Sequence, residues 1–294
     1  MSQLKLFAER GQEPTMDVAP FTTQLLKWVG NKQRVAHQII AHFPRDHRTY
    51  CEPFLGSGAV LGTLAPGVAV GSDLLRPLME IWSALHAHGD QLLEEYAKRW
   101  KWFQENRATA YDAIKASYNA SPNGPDLLFL SRACYGGVVR FRRDGYMSTP
   151  LGPHEPVSPG SMARRIALWR RRTAGTEFAC CDFEETMDRA GYRDIVYCDP
   201  PYSDTQAILY GAQEFSLRRL LKAIASAKER GAFVALSIDG SKKSGNRLCD
   251  VLLPEGLFER TALLDCGRSM LRRFQMKGET LESEIVADRL ALTW

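Results

Sequence analysis

An apolar run, Ile195-Val196-Tyr197-Cys198, passes without a break into Asp199-Pro200-Pro201-Tyr202. Two successive prolines have no amide hydrogen to give to a neighbouring strand, and each pushes the residue before it towards extended backbone. A buried strand must therefore end here, and the chain leaves the sheet extended, with carbonyl acceptors and no amide donors. Other segments repeat the pattern of an apolar run closing on an acid: Val68 to Asp73, and Phe178 to Asp182. Phe233 to Ile238 is a further buried run. Stretches of helical period separate these runs, at Arg76 to Leu93 and at Leu217 to Arg230. From Gln24 to Phe43 the period is also helical, but Gly30-Asn31 interrupts it, which predicts a loop followed by a helix. Thr261 to Cys266 and Glu284 to Leu292 suit a closing hairpin. Alternating strand and helix predicts an α/β fold with a largely parallel sheet. Ligands on such sheets bind at the carboxyl ends of the strands.

The 294 residues, 45% hydrophobic and 24% charged, suffice for a full core and exclude a disordered, collagenous or coiled-coil chain. Seven cysteines with no C-x-x-C pair argue against a disulfide framework or zinc ribbon and for reduced thiols in a cytoplasmic protein. The opening residues lack the apolar core of a secretory signal. The long uncharged run between Glu52 and Asp73 is broken by five glycines and two prolines, which is strand and turn chemistry rather than a membrane helix. Residues 1–20 read as an arm with no periodicity.

The net charge of +4 is unevenly spread. Between Lys98 and Gly175 fourteen Lys and Arg stand against five Asp and Glu, a net +9. The same stretch carries Trp100, Trp102, Phe103, Tyr111, Tyr118, Tyr135, Phe141 and Tyr146. Basic and aromatic residues interleaved in this way suit a nucleic-acid partner, with Arg132, Arg140, Arg142, Arg143 and the Arg170-Arg171-Arg172 run as candidates to neutralise phosphates. The expected organisation is an α/β domain in two pieces, 21–93 and 176–294, around an insert at 94–175.

Three constellations carry chemistry. Phe54-Leu55-Gly56-Ser57-Gly58 follows a strand and opens a helix, where glycines let the backbone approach a ligand. It meets neither the dinucleotide fingerprint nor the phosphate P-loop. Asp73, at the end of the next strand, either takes the hydroxyls of a ribose or caps the helix that follows. In Asp199-Pro200-Pro201-Tyr202 a carboxylate and carbonyls that only accept hydrogen bonds can grip both hydrogens of an NH2 group. Tyr202 offers a face for a planar ring.

These motifs, with Leu26-Lys27-Trp28-Val29-Gly30-Asn31-Lys32, Glu52-Pro53 ahead of the glycine turn, and Asp182-Phe183, resemble the Dam-like (D12 class) N6-adenine DNA methyltransferases in the α-type motif order. The resemblance runs from about residue 24 to the C-terminus. It implies a Rossmann-like S-adenosylmethionine-dependent methyltransferase sheet with an inserted, mainly helical target-recognition domain carrying a hairpin. It implies S-adenosylmethionine as cofactor, held by Trp28, Lys32, Phe54, Gly56, Gly58, Asp73, Asp182 and Phe183, with Asp199 close by. Asp199 and the Pro200 carbonyl would grip the N6 amine of an adenine flipped from double-stranded DNA, and Tyr202 would stack on its ring. The segment Cys134 to Tyr146 resembles the recognition hairpin, with Arg140 as the base-reading arginine, Tyr135 as a wedge in the stack, and Arg142 and Arg143 on DNA. No metal and no membrane are implied, and a monomer would suffice. Gly136 stands where the Dam enzymes commonly have Asn, and Asn31 where Gly is common. The recognition sequence stays open, as does whether the chain serves restriction-modification beside a cognate endonuclease, regulation or a phage. N4-cytosine methylation, methylation of a protein glutamine amide and a non-catalytic DNA-binding role are the competing readings. Asp rather than Ser at position 199 favours adenine.

Overall fold

The computed structural model describes residues 16–201, 215–239, 253–265 and 287–294. Seven strands form one sheet: β1 (Tyr50–Glu52), β2 (Ala69–Asp73), β3 (Thr176–Cys180), β4 (Ile195–Cys198), β5 (Phe233–Asp239), β6 (Arg260–Asp265) and β7 (Ala287–Leu292). Their order is β3-β2-β1-β4-β5-β7-β6. β1 to β5 pair in parallel, whereas β7 runs antiparallel to both β5 and β6. Strand order reverses between β1 and β4, so the carboxyl ends of these two strands flank the crevice where a doubly wound sheet takes its ligand. The registers Tyr50 with Ile195 and Cys51 with Val196 place Glu52 beside the exit of β4 towards Asp199.

Side chains alternate across the sheet with period two, and both faces are buried. Tyr50, Ala69, Ile195, Tyr197 and Ala235 join one core. Cys51, Val70, Val196, Cys198, Val234, Leu236 and Ile238 join the other. Helices α8 (Phe183–Arg189) and α9 (Leu217–Glu229) cover the second face, through Phe183, Met187, Leu220, Ile224 and Ala227. Against the first lie α1 (Ala36–Ile40), α2 (Ala59–Leu64) and α3 (Arg76–Ala87). The expected helical period before Phe43 yields only the short α1. The preceding segment runs through bends and turns, with its Thr23, Gln24 and Leu25 carbonyls held by the Trp169, Arg165 and Arg132 side chains. The single helix expected from Arg76 to Leu93 breaks at His88, whose backbone leaves helical geometry (φ −143°, ψ 41°) before α4 (Gly89–Glu105) begins.

Between β2 and β3, α4 to α7 build a helical layer beyond α3. They are α4, α5 (Arg107–Ala120), α6 (Gly124–Ala133) and α7 (Pro159–Arg172). Asn106, Asn123 and Ser158 cap α5, α6 and α7 by accepting from the third residue on, as short polar side chains do at helix starts. Tyr96, Phe103, Tyr111 and Phe129 are buried in the same continuous core as Tyr50 and Tyr197. The helical layer and the sheet therefore share one apolar interior.

Candidate active site

Glu52 at the end of β1 and Asp199 just after β4 face a cleft lined also by Trp28, Asn31, Lys32, Phe54, Gly56 and Tyr197. Lys32 Nζ donates to both carboxylate oxygens of Asp199, at 2.8 and 2.9 Å, and to the Gly30 carbonyl at 3.3 Å. The Asp288 carboxylate on β7 lies 3.8 Å from the same ammonium. Lys32 is only 7% exposed, so these carboxylates supply the charge balance that a buried ammonium requires. Glu52, buried, accepts from the Tyr50 hydroxyl at 2.7 Å and the Leu61 amide at 2.9 Å. Burial pushes its carboxyl up to about 8, against the pull of those two donors, and the nearby Asp199 adds to the rise. Burial likewise drives the Tyr197 phenol up, and its hydroxyl pairs with Ser237 at 2.8 Å.

The glycine turn forms one wall. Gly56 adopts φ +48°, and a Cβ there would come 3.1 Å from Trp28 Cδ1. A side chain would thus be strained and would crowd the indole that lines the cleft. The Gly56 amide donates to Asp73 at 3.1 Å, and its carbonyl accepts from the Trp82 indole at 3.2 Å. Asp73 also accepts from the Leu75 amide at 3.1 Å. It therefore ties the turn to the segment leading into α3, whose own N-cap is Leu75. Burial raises the Asp73 carboxyl, opposed by its backbone donors.

Asp182 is the N-cap of α8 and accepts from the Glu184 amide and from Arg219, each at 3.0 Å. Phe183 stacks on Phe54 with centroids 5.2 Å apart. Trp28, Lys32, Phe54, Gly56 and Asp199 thus share the cleft. Gly58 and Asp73 lie behind the glycine wall, and Asp182 and Phe183 adjoin it through Phe54. Pro200 is buried and Pro201 half-buried. Tyr202 lies outside the described residues.

A family model described as D12 class N6 adenine-specific DNA methyltransferase matches residues 28–247. The chain belongs to that family. Among curated proteins, the DNA N-6-adenine-methyltransferase of Escherichia phage P1 is 26% identical over 247 residues, 80% of this chain but 32% of the relative. This chain therefore spans about a third of that protein's length. The DNA adenine methylase of Vibrio cholerae serotype O1 is 28% identical, covering 72% of this chain and 79% of the relative. The Retron Ec67 DNA adenine methylase of Escherichia coli is 32% identical, covering 62% and 64%.

In this D12 chain the segment expected to form a hairpin, Cys134 to Tyr146, has no regular strand pairing and carries two isolated antiparallel bridges, Cys134 with Leu151 and Phe141 with Met147. Its tip turns through Arg142 to Tyr146, closed by the Arg142 amide on the Tyr146 carbonyl at 2.8 Å. Tyr135, Arg140, Arg142 and Arg143 are all exposed. The hairpin base meets the cleft segment, because a Cβ on Gly137 would fall 2.3 Å from Lys27 Cδ. Two arginines expected on phosphates point inward instead. Arg132 is 7% exposed and donates to the Leu25 carbonyl at 3.2 and 2.7 Å, and to that of Gln24. Arg172 donates to the Gly62 carbonyl and, at 2.8 Å, to that of Thr63, and its guanidinium lies 4.4 Å from the Phe21 ring centroid. The physical reason is the orphan carbonyls of an irregular segment and of a helix end, which need donors once buried.

Glu52 lines the cleft and Asp288 adjoins it through Lys32, and neither was assigned a role from the sequence. Glu52 stood in the sequence only as part of the motif ahead of the glycine turn, because its two apolar neighbours, Tyr50 and Cys51, follow Arg48-Thr49 and are too few to read as a run. Asp288 carried no signal, because only strand pairing brings the end of the chain back to Lys32. Among the described residues no group of three His, Cys, Asp or Glu side chains could hold a metal, and no helix is long and apolar enough to cross a membrane.

Proposed function

We propose that the chain transfers a methyl group from S-adenosylmethionine to the N6 amine of an adenine flipped out of double-stranded DNA. The observation that carries this reading is the Asp199 carboxylate on the wall of a solvent-open cleft, followed at once by the acceptor-only backbone of Pro200-Pro201. The cleft suits the polar end of such a cofactor. Asn31 Nδ2 lines it and is buried with no hydrogen-bond partner among the described residues. Trp28, Lys32, Phe54, Gly56, Gly58, Asp73, Asp182, Phe183 and Asp199 would hold the cofactor, with Asp73 on its ribose and Asp182-Phe183 on its adenine. When bound, S-adenosylmethionine supplies a methyl group already activated on sulfonium sulfur.

The chain's own residues account for the rest. An aromatic amine is a poor nucleophile while its lone pair is conjugated with the ring. Asp199 and the Pro200 carbonyl accept its two N–H bonds, which favours a pyramidal nitrogen and offsets the positive charge that develops there. Tyr202 would stack on the ring, and the cleft walls fix the line of approach. A base stacked in a duplex cannot reach such a cleft, so it must be flipped. We assign 21–93 and 176–294 to the catalytic domain and 94–175 to target recognition. Tyr135 would be the wedge, Arg140 the base reader, and Arg142 and Arg143 phosphate contacts.

The test is transfer of labelled methyl from S-adenosylmethionine to unmethylated DNA, with nucleoside analysis of the product. N6-methyladenine from the wild type, and none from an Asp199→Ala variant of unchanged melting temperature, is the expected result. Label confined to cytosine would refute the base assignment. Cofactor binding without transfer to any DNA would refute the reaction.

A further inference from the structure

We propose that Asp288 is a positioning residue of this reaction: it takes the Lys32 ammonium when the target amine takes Asp199. The inference rests on the reading of Asp199 given above. Lys32 Nζ spans both Asp199 oxygens, at 2.8 and 2.9 Å. Those are the atoms that must accept a hydrogen from the adenine amine. A carboxylate bridged by an ammonium also presents little net negative charge. The reacting nitrogen gains positive charge as it accepts the methyl, so an ammonium left on Asp199 would oppose the step that the carboxylate is placed to assist.

Asp288 offers the ammonium a second seat. Its Oδ2 is 3.8 Å from Lys32 Nζ, with the two side chains 8% and 14% exposed. A movement of about 1 Å brings that distance into hydrogen-bond range. The move keeps the buried ammonium paired throughout, which an excursion towards an apolar wall would not. Asp288 belongs to β7 and is paired in register with β5 and β6, so its carboxylate is carried by the sheet rather than by a loop. Glu52 is a poorer seat. Its Oε2 is already engaged by Tyr50 and Leu61, and its raised pKa favours the neutral acid.

The experiment uses the full chain, a duplex carrying the methylation site, and saturating S-adenosylmethionine, with Asp288→Asn and Asp288→Glu compared in single turnover. Asp288→Asn should slow transfer by at least about tenfold, and Asp288→Glu should stay within about threefold of wild type. Cofactor affinity and melting temperature should be unchanged in both. A structure of the full chain with duplex and the unreactive analogue sinefungin should show Lys32 Nζ on Asp288 and the adenine amine on Asp199. An unimpaired Asp288→Asn enzyme would overturn the proposal, as would an adenine seated on Asp199 with Lys32 still bridging that carboxylate. A rate loss matched by a fall in melting temperature, with Lys32 unmoved, would make Asp288 structural and overturn it too. If no adenine enters the cleft, it is the reading of Asp199 that fails, and this inference falls with it.

Discussion

Arg132→Ala separates a DNA contact from an internal strut. Arg132 reaches from α6 to the carbonyls of Gln24 and Leu25, four and three residues before Trp28. The guanidinium is buried, and its pKa is pulled down to about 10, first by burial and then by Arg165. It is still charged at neutral pH. Bonds from a charged donor contribute roughly 1.5–3 kcal/mol each. Two of the three share the Leu25 carbonyl, so about two independent bonds are lost. Truncation also relieves the desolvation of the guanidinium, which leaves a net loss of about 3 kcal/mol. In a chain of this size that lowers the melting temperature by roughly 5 °C. Calorimetry gives the first reading, and DNA affinity between about 50 and 200 mM salt gives the second. The slope of log affinity against log salt should match wild type, because no phosphate contact is removed. An unchanged melting temperature with a slope shallower by about 0.9 would show that Arg132 meets a phosphate after all, and the strut would be refuted.

Arg140→Ala should do the opposite: stability within about 0.5 kcal/mol of wild type because the side chain is exposed, with DNA binding weakened and discrimination at one base pair relaxed by roughly 1–3 kcal/mol. Competition binding against single-base variants of the site measures it. Glu52 has a folded pKa of about 8, above its unfolded value, so the native state holds the extra proton. Its contribution is full below about pH 4.3 and is lost as pH rises through about 8. Glu52→Gln should therefore flatten the fall in stability between about pH 5 and 8, by an amount on the order of a few kcal/mol, as urea titrations at the two ends would show. Gly175 adopts φ +78°, and a Cβ there would sit 1.7 Å from the Gly67 carbonyl oxygen. Gly175→Ala should cost about 3 kcal/mol or more from left-handed backbone plus a clash with main chain that cannot swing away. Thermal unfolding within 1 °C of wild type would contradict that geometry.

Much of the fold was legible in the sequence, for local reasons. Val68 to Asp73 and Ile195 to Asp199 announced β2 and β4 because burial on both sheet faces writes a continuous apolar run. The glycine turn and the proline pair marked where those strands must release the chain. The place of Asp199 on the cleft wall followed, since it is fixed by its own neighbours in sequence. Long-range assignments were harder. Arg132, Arg140, Arg142, Arg143 and the Arg170-Arg171-Arg172 run read as one set of phosphate contacts. Whether an arginine meets water or a carbonyl is decided by what packs against its helix, and α7 shows both outcomes within three residues: Arg170 and Arg171 are exposed while Arg172 turns under Phe21.

The inward arginines give the insert a second relation to the cleft besides carrying the hairpin. Arg132 on α6, and Arg165 and Trp169 on α7, all donate to main-chain carbonyls between Thr23 and Leu25. Lys27 lies against Gly137 at the hairpin base, one residue before Trp28. Segment 23–32 therefore has one end clasped by α6 and α7 and the other, at Lys32, on Asp199. Because these contacts are hydrogen bonds and packing rather than a flexible tether, a displacement of α6 or α7 has to be absorbed within a few residues of the Lys32 ammonium. Helices α6 and α7 thus also set the backbone from which the Asp199 carboxylate is neutralised, and loosening that clasp should reach the cleft before it reaches the sheet.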